Sequence, residues 1–274
     1  MSKVATLLGL IIGFFMLSLS TVNQEGVFID AFLNWQGLAL VVGGTFAAVL
    51  INYPPKDANS AFKAFGKVFT TEPASPQVII EELIGLSRGV KKQGYLSVEN
   101  QLELIRDPFL KYALTEMLIH NTSSALKQSL DNHLINMRLR HLTSQEVYSN
   151  MASYAPAFGM MGTVMGLIIM MTTQANGGSL SYYAGIESQD MIAGLLSGMG
   201  LALVTTFYGV LLANLIFLPV AGKLKVLSES EVITNEIIVH GVVAIKNNVP
   251  TLLMKDNLLT FVSEQTKEKL EAVK

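Results

Sequence analysis

The sequence predicts an all-α integral membrane protein: four transmembrane helices, a cytoplasmic helical domain between the second and third, and a cytoplasmic helical C-terminal tail. Three observations carry this. Half of the 274 residues are hydrophobic and only 15% are charged, against roughly 25% in average soluble domains. Four windows, 4–24, 31–55, 147–186 and 191–222, hold no Asp, Glu, Lys, Arg or His, and a spanning helix needs about 20 apolar residues, so each window holds one. The nineteen basic residues then fall on one side: Lys3, eleven in 56–140 and seven in 223–274, with none in 23–34 or 174–190. The positive-inside rule makes that side cytoplasmic and places both termini there.

Residues 1–55 form a transmembrane hairpin joined by "TVNQEGVFIDAFLNWQ". Read as a cleavable signal peptide, "KVATLLGLIIGFFMLSLS" would leave three spans and an undetermined side for Lys56–Arg140, so it is taken as the first span. Trp35 and Tyr53 sit near the ends of the second span, where amphipathic rings favour the headgroup layer. "YPPK" breaks that helix. In "DANSAFKAFGKVF", Phe62, Phe65 and Phe69 share a side with Lys63 and Lys67 beside them, a pattern that fits both an interfacial helix and a soluble amphipathic one.

Residues 56–150 comprise this helix and a small helical domain. "SPQVIIEELIGLSRGVKKQG" opens with Ser–Pro and stops at Gly94. Ser97 and Asn100 form an imperfect capping box, "DP" at 107–108 interrupts the next helix, and "NTSS" caps a stretch that has no Gly or Pro from Ala125 to Met151 and should run straight into the third span. The third and fourth spans occupy 151–222, with a polar turn at "TTQANGGSLSYY", and the tail, 223–274, is helical with breaks at Gly241 and Pro250.

Composition excludes several function classes. The net charge is −2, so no basic field argues for nucleic acid. Without cysteine there is no disulfide scaffold, iron–sulfur cluster or cysteine zinc site. "GLSRG" (85–89) matches a nucleophile-elbow pattern, but it lies in a helical stretch where the elbow needs a preceding strand. His120, His133, His141 and His240 show no metal spacing, and no nucleotide-binding loop is present. These absences argue against an enzyme and against a bound cofactor.

The last two spans carry the specific signal. Gly159, Gly162 and Gly166 recur at three and four residues, and Gly194, Gly198 and Ala202 at four. Small faces let membrane helices approach closely, so these spans should pack on protein while the first two face lipid. Thr163, Thr205 and Thr206 add hydroxyls that can bond back to their own helix or replace part of a cation's hydration shell. Ionisable residues are the usual mark of a membrane ion pathway, and the four windows have none. An ion route here needs a carboxylate from another polypeptide.

With "YAPAFGMMGTVMGLIIMM" and "ALVTTFYGVLLANLIFLPVAGKL", the chain resembles the A subunit of the bacterial flagellar stator, the MotA/PomA family, over nearly its whole length. The related ExbB/TolQ channels share similar helices but usually have three spans. The resemblance implies a multi-pass protein of the bacterial inner membrane, five copies of which surround two copies of a single-span B subunit. That subunit carries the essential Asp and a peptidoglycan-binding domain, and ion flow turns the ring against a rotor switch protein of the FliG type. It implies functional prolines at Pro156 and Pro219 and ion-path hydroxyls at Thr163, Thr205 and Thr206. Sodium is favoured over protons, because Na+ wants oxygen ligands such as those near Thr163 and Thr206.

In "RGVKKQGYLSVENQLEL", Lys91 and Glu99 take the places of the family's basic and acidic rotor contacts, with Arg88 and Lys92 adjacent. The chain departs from the usual pattern in having Lys91 rather than Arg, and Asn100 and Leu102 where some members have acids. A non-flagellar relative, serving envelope energisation, gliding or defence, is the alternative within the superfamily. A non-conducting membrane scaffold is the alternative outside it.

Overall fold

The computed structural model describes residues 2–21, 32–70, 75–184, 188–262 and 267. Among these the protein is helical, with no strand. Its helices are α1 (Ser2–Ser20), α2 (Trp35–Asn52), α3 (Pro55–Thr70), α4 (Pro76–Gln93), α5 (Leu96–Gln101), α6 (Pro108–Ile119), α7 (Ser123–Ala184), α8 (Ser188–Leu211), α9 (Leu218–Lys246) and α10 (Thr251–Leu259). A six-residue π turn, Leu212–Phe217, joins α8 to α9.

Local chemistry explains most boundaries. Asn34 caps α2 by accepting the Gly37 N–H at 2.9 Å, and Asp107 caps α6 by accepting the Leu110 N–H at 2.8 Å with Pro108 in the first turn. α9 ends in a left-handed Asn248 (φ 55°). There the Val249 N–H reaches the Ala244 carbonyl and the Asn248 N–H reaches that of Ile245, each at 3.0 Å, a Schellman closure. Pro250 follows and starts α10. α7 runs unbroken from the 121–124 segment through the third span, as the lack of Gly and Pro after Ala125 predicts.

Two expectations fail. The polar turn expected over Thr172–Tyr183 is helical backbone, continuous to Ala184. Nothing there forces a break, because a helical glycine costs only about 1 kcal/mol relative to alanine. Nor does the tail break at Gly241, which lies inside α9 where an added Cβ would come within 2.6 Å of the Leu83 side chain. Pro219 does not end the helix of the fourth span. The π turn comes just before it, with the Leu218 N–H bonded to the Ala213 carbonyl, so the helix absorbs the missing proline donor and continues. The side chains of Lys67, Phe69, Ser97 and Asn100, and the loop 22–31, lie outside the described residues.

The chain divides into two compact units. The first comprises 1–71 and 142–225; the second comprises 72–141 and 226–274. The helices Trp35–Asn52, Ser123–Thr172 and Gly194–Lys246 are long and apolar enough to cross a bilayer, and Thr6–Ser20 of α1 is a shorter apolar stretch. The 19 residues of α1 reach about 28 Å at 1.5 Å per residue, close to the hydrocarbon thickness.

α3 packs through Ala58, Ala61 and Val68, with Phe62 stacked on Phe46 of α2 and Phe65 on Tyr148 of α7. The Tyr148 hydroxyl donates to the Ala61 carbonyl at 3.1 Å. The phenyl groups that could have faced lipid or water are therefore partly spent on protein.

The second unit is built on a conventional apolar core. Ile80 and Leu83 of α4, Leu110, Leu114 and Met117 of α6, Leu126 and Leu130 of α7, Ile237 and Ile238 of α9 and Leu258 of α10 are all fully buried. Ser87, the centre of the elbow-like "GLSRG", is buried in α4 and pairs with the Thr251 hydroxyl at 3.3 Å. It is a helix residue holding α10.

Candidate functional site

The predicted glycines bring α7 and α8 into backbone contact. A Cβ on Gly166 would lie 2.5 Å from the Gly198 carbonyl oxygen and 2.8 Å from the Ala202 nitrogen, and one on Gly198 would lie 2.8 Å from the Gly166 carbonyl oxygen. A Cβ on Gly159 would approach the Thr205 carbonyl oxygen at 3.0 Å, and one on Gly162 would collide with the Thr205 side chain. Such closeness is possible only without side chains, and it is what association in lipid rewards. Gly194 is half-exposed, four residues before Gly198.

Two contributions were missed in the sequence. Gly209 of α8 faces the start of the third span, where a Cβ would lie 2.6 Å from the Ala155 carbonyl oxygen and 3.1 Å from the Pro156 Cα. Its seven-residue spacing from Ala202 was the available signal. The second is α2, which does not simply face lipid. Gly37, Val41, Thr45 and Val49 recur every four residues and are buried; Gly37 abuts the Thr205 methyl, and Gly44 abuts the Phe158 ring. α2 is thus a third member of the packed group. α1 is the more exposed helix, touching the group where Gly13 receives the Leu215 side chain.

Tyr208 ties the hairpin to α8. Its hydroxyl donates to the Phe32 carbonyl and accepts the Asn34 N–H at 3.0 Å, beside an edge-on contact between Phe32 and Phe207. An apolar groove of about 620 Å³ lies between α1 and the end of α8 with its π turn, with Gly13 and Leu17 on one wall and Thr206, Val210 and Asn214 on the other.

The three threonines occupy different surroundings. Thr163 is half-buried on α7, its hydroxyl donating to the Met160 carbonyl at 2.6 Å. Thr205 is fully buried between α2 and α7 and shares its hydrogen between the Leu201 and Ala202 carbonyls, each at 3.0 Å. Thr206 donates to the Ala202 carbonyl at 3.3 Å and lines the groove against α1. A hydroxyl that gives its hydrogen to its own helix keeps its oxygen lone pairs for an outside acceptor role. For the partly exposed Thr163 and Thr206, back-bonding and cation ligation are therefore compatible.

Pro156 lies inside α7 opposite Gly209, and Pro219 lies just after the π turn. Each lacks the N–H that would satisfy a carbonyl one turn earlier, so these are the places where the long helices are least constrained by their own backbone. Beyond α7's packed face, Met160, Met161, Val164, Met165, Ile168 and Met171 are exposed. Methionine side chains adapt to irregular or changing apolar partners. In the second unit, Arg88, Lys91 and Lys92 on α4 and Glu99 on α5 are all exposed, on either side of the left-handed Gly94 (φ 76°). Among the described residues no three His, Cys, Asp or Glu side chains gather into a metal-binding group.

Residues 101–236 match the MotA/TolQ/ExbB proton channel family. The uncharacterized protein YtxD of Bacillus subtilis is 28% identical over 96% of this chain and 92% of its own length. Motility protein A of Treponema pallidum is 29% identical over 98% of this chain and 97% of its own. The fold is that of the flagellar MotAB stator complex from Bacillus subtilis, with a TM-score of 0.80 at 23% identity over 98% of both chains. Across these matches the chain, with its glycine-packed apolar helices and interposed helical unit, is similar to the MotA/PomA proteins of the MotA/TolQ/ExbB proton channel family.

Proposed function

We propose that this chain is the A subunit of an ion-driven flagellar stator in the bacterial inner membrane, with both termini in the cytoplasm. A ring of five copies encloses two copies of a single-span B subunit that anchors to peptidoglycan and brings the essential Asp. The observation that carries this reading is the combination of ion-compatible hydroxyls with charge-free spans: Thr163, Thr205 and Thr206 lie in windows without a single Asp, Glu, Lys, Arg or His. A carboxylate from a partner helix completes such a path, and α7's exposed methionine-rich face offers that helix an adaptable apolar surface. Ion binding at the Asp turns the ring, and the charges around Gly94, chiefly Lys91 and Glu99 with Arg88 and Lys92, pass the motion to a rotor switch protein of the FliG type.

The transported cation in this reading is sodium. Hydroxyl oxygens with free lone pairs suit a hard cation that must replace water ligands, whereas a proton needs none. The test is swimming speed of a reconstituted motor against external sodium at fixed pH. Speed should rise with sodium and saturate, and Thr163→Ala should shift half-saturation to severalfold higher sodium. Speed indifferent to sodium would mean a proton-driven motor.

A further inference from the structure

Two helix C-termini of the second unit and the turn that follows a third converge on one lysine. α4 ends at Gln93, α6 at Ile119 and α9 at Lys246. The last carbonyls of a helix lack intrahelical partners and carry its negative dipole end. For α9 the Schellman closure takes the carbonyls of Ala244 and Ile245, and the Asn247 N–H takes that of Val243. The Lys246 carbonyl receives the Tyr95 hydroxyl at 3.2 Å. For α6 the His120 N–H takes the Glu116 carbonyl, and the Lys246 ammonium takes that of Met117 at 3.1 Å. The same ammonium lies 5.2 Å from the centre of the Tyr95 ring, within cation–π range.

Tyr95 is the first residue after Gly94, whose positive φ turns α4 into α5. That turn separates Lys91 and Lys92 from Glu99. We infer that Lys246 is a positioning residue for the rotor-facing charges: it closes the end of α6 with its ammonium, holds Tyr95 by ring and hydroxyl together, and thereby sets the angle at which Lys91, Lys92 and Glu99 are presented. This rests on the reading of those charges as the rotor contact. Lys246 itself is half-buried.

The experiment pairs amide hydrogen exchange on the full-length chain in lipid nanodiscs with swimming speed in a strain that depends on this chain. Lys246→Met keeps the stem but removes the charge. It should speed exchange over residues 94–102 about tenfold, leave residues 159–166 at wild-type rates, and slow swimming with membrane accumulation unchanged. Lys246→Arg, which retains a cation able to reach the carbonyl and the ring, should restore both. Tyr95→Phe loses only the hydroxyl bond, should give a smaller change in the same direction, and carries the test if Lys246→Met fails to accumulate.

Unchanged exchange over 94–102, or acceleration spread evenly through the second unit, would overturn the inference. Faster local exchange with normal swimming would also overturn it, provided Lys91→Glu abolishes swimming. If Lys91→Glu swims normally too, the rotor reading falls, while the exchange result still decides whether the clamp exists.

Discussion

The two units of this protein are held together by opposite means. Of the twelve largest fully buried side chains, all but Met151 belong to the second unit. The membrane unit instead packs glycine on backbone, with Gly166 against Gly198 and Gly209 against Ala155. The difference follows from solvent. In water, burying a leucine removes apolar surface at roughly 25 cal/mol per Å². In lipid that gain is absent, and helices associate through close van der Waals approach of their backbones. One unit is therefore sensitive to losing volume, the other to gaining it.

The sharpest way to break that contrast is to add a side chain at the seam. Gly166→Val places a branched Cβ against the Gly198 and Ala202 backbone, which cannot move aside as a flexible side chain would. We expect loss of stator assembly and of motility, read by detergent-resistant oligomer and swim-plate diameter. Gly43→Ala, on α2 with nothing within 4 Å of the added Cβ, should be neutral or slightly stabilising and serves as the control.

Removing volume should hurt the other unit. Leu114 is fully buried in α6, so Leu114→Ala should cost about 2–5 kcal/mol. Limited proteolysis would then cleave residues 76–141 faster while the membrane unit stays protected. Equal sensitivity of both units to this substitution would contradict the division.

The smallest expected effect is at a cap. Asp107→Ala removes the carboxylate that accepts the Leu110 N–H and should destabilise α6 by about 1 kcal/mol. It should appear as a slight rise in hydrogen exchange over the first turn of α6, without change in motility.

Much of the architecture was legible in the sequence. The four charge-free windows depend on each residue's own transfer energy into lipid, a property that needs no partner. The stops at Gly94 and Pro250 and the continuity of α7 follow from local backbone chemistry, readable from one residue and its neighbours. The glycine periodicity of α7 and α8 told that something approaches closely.

What approaches, and where, was decided only by the tertiary structure. That α2 joins the packed group, that Gly209 answers Pro156, and that Thr205 is enclosed while Thr163 and Thr206 are not, all depend on the register between helices far apart in the chain. A proline's effect was equally undetermined: the π turn before Pro219 carries the helix through it. Lys246 looks like an ordinary charge at a helix terminus until the folded chain puts the end of α6 and the Tyr95 side chain beside it. Hydropathy and backbone preference are properties of one segment, whereas packing and hydrogen-bond closure are properties of pairs, and only folding brings the pairs together.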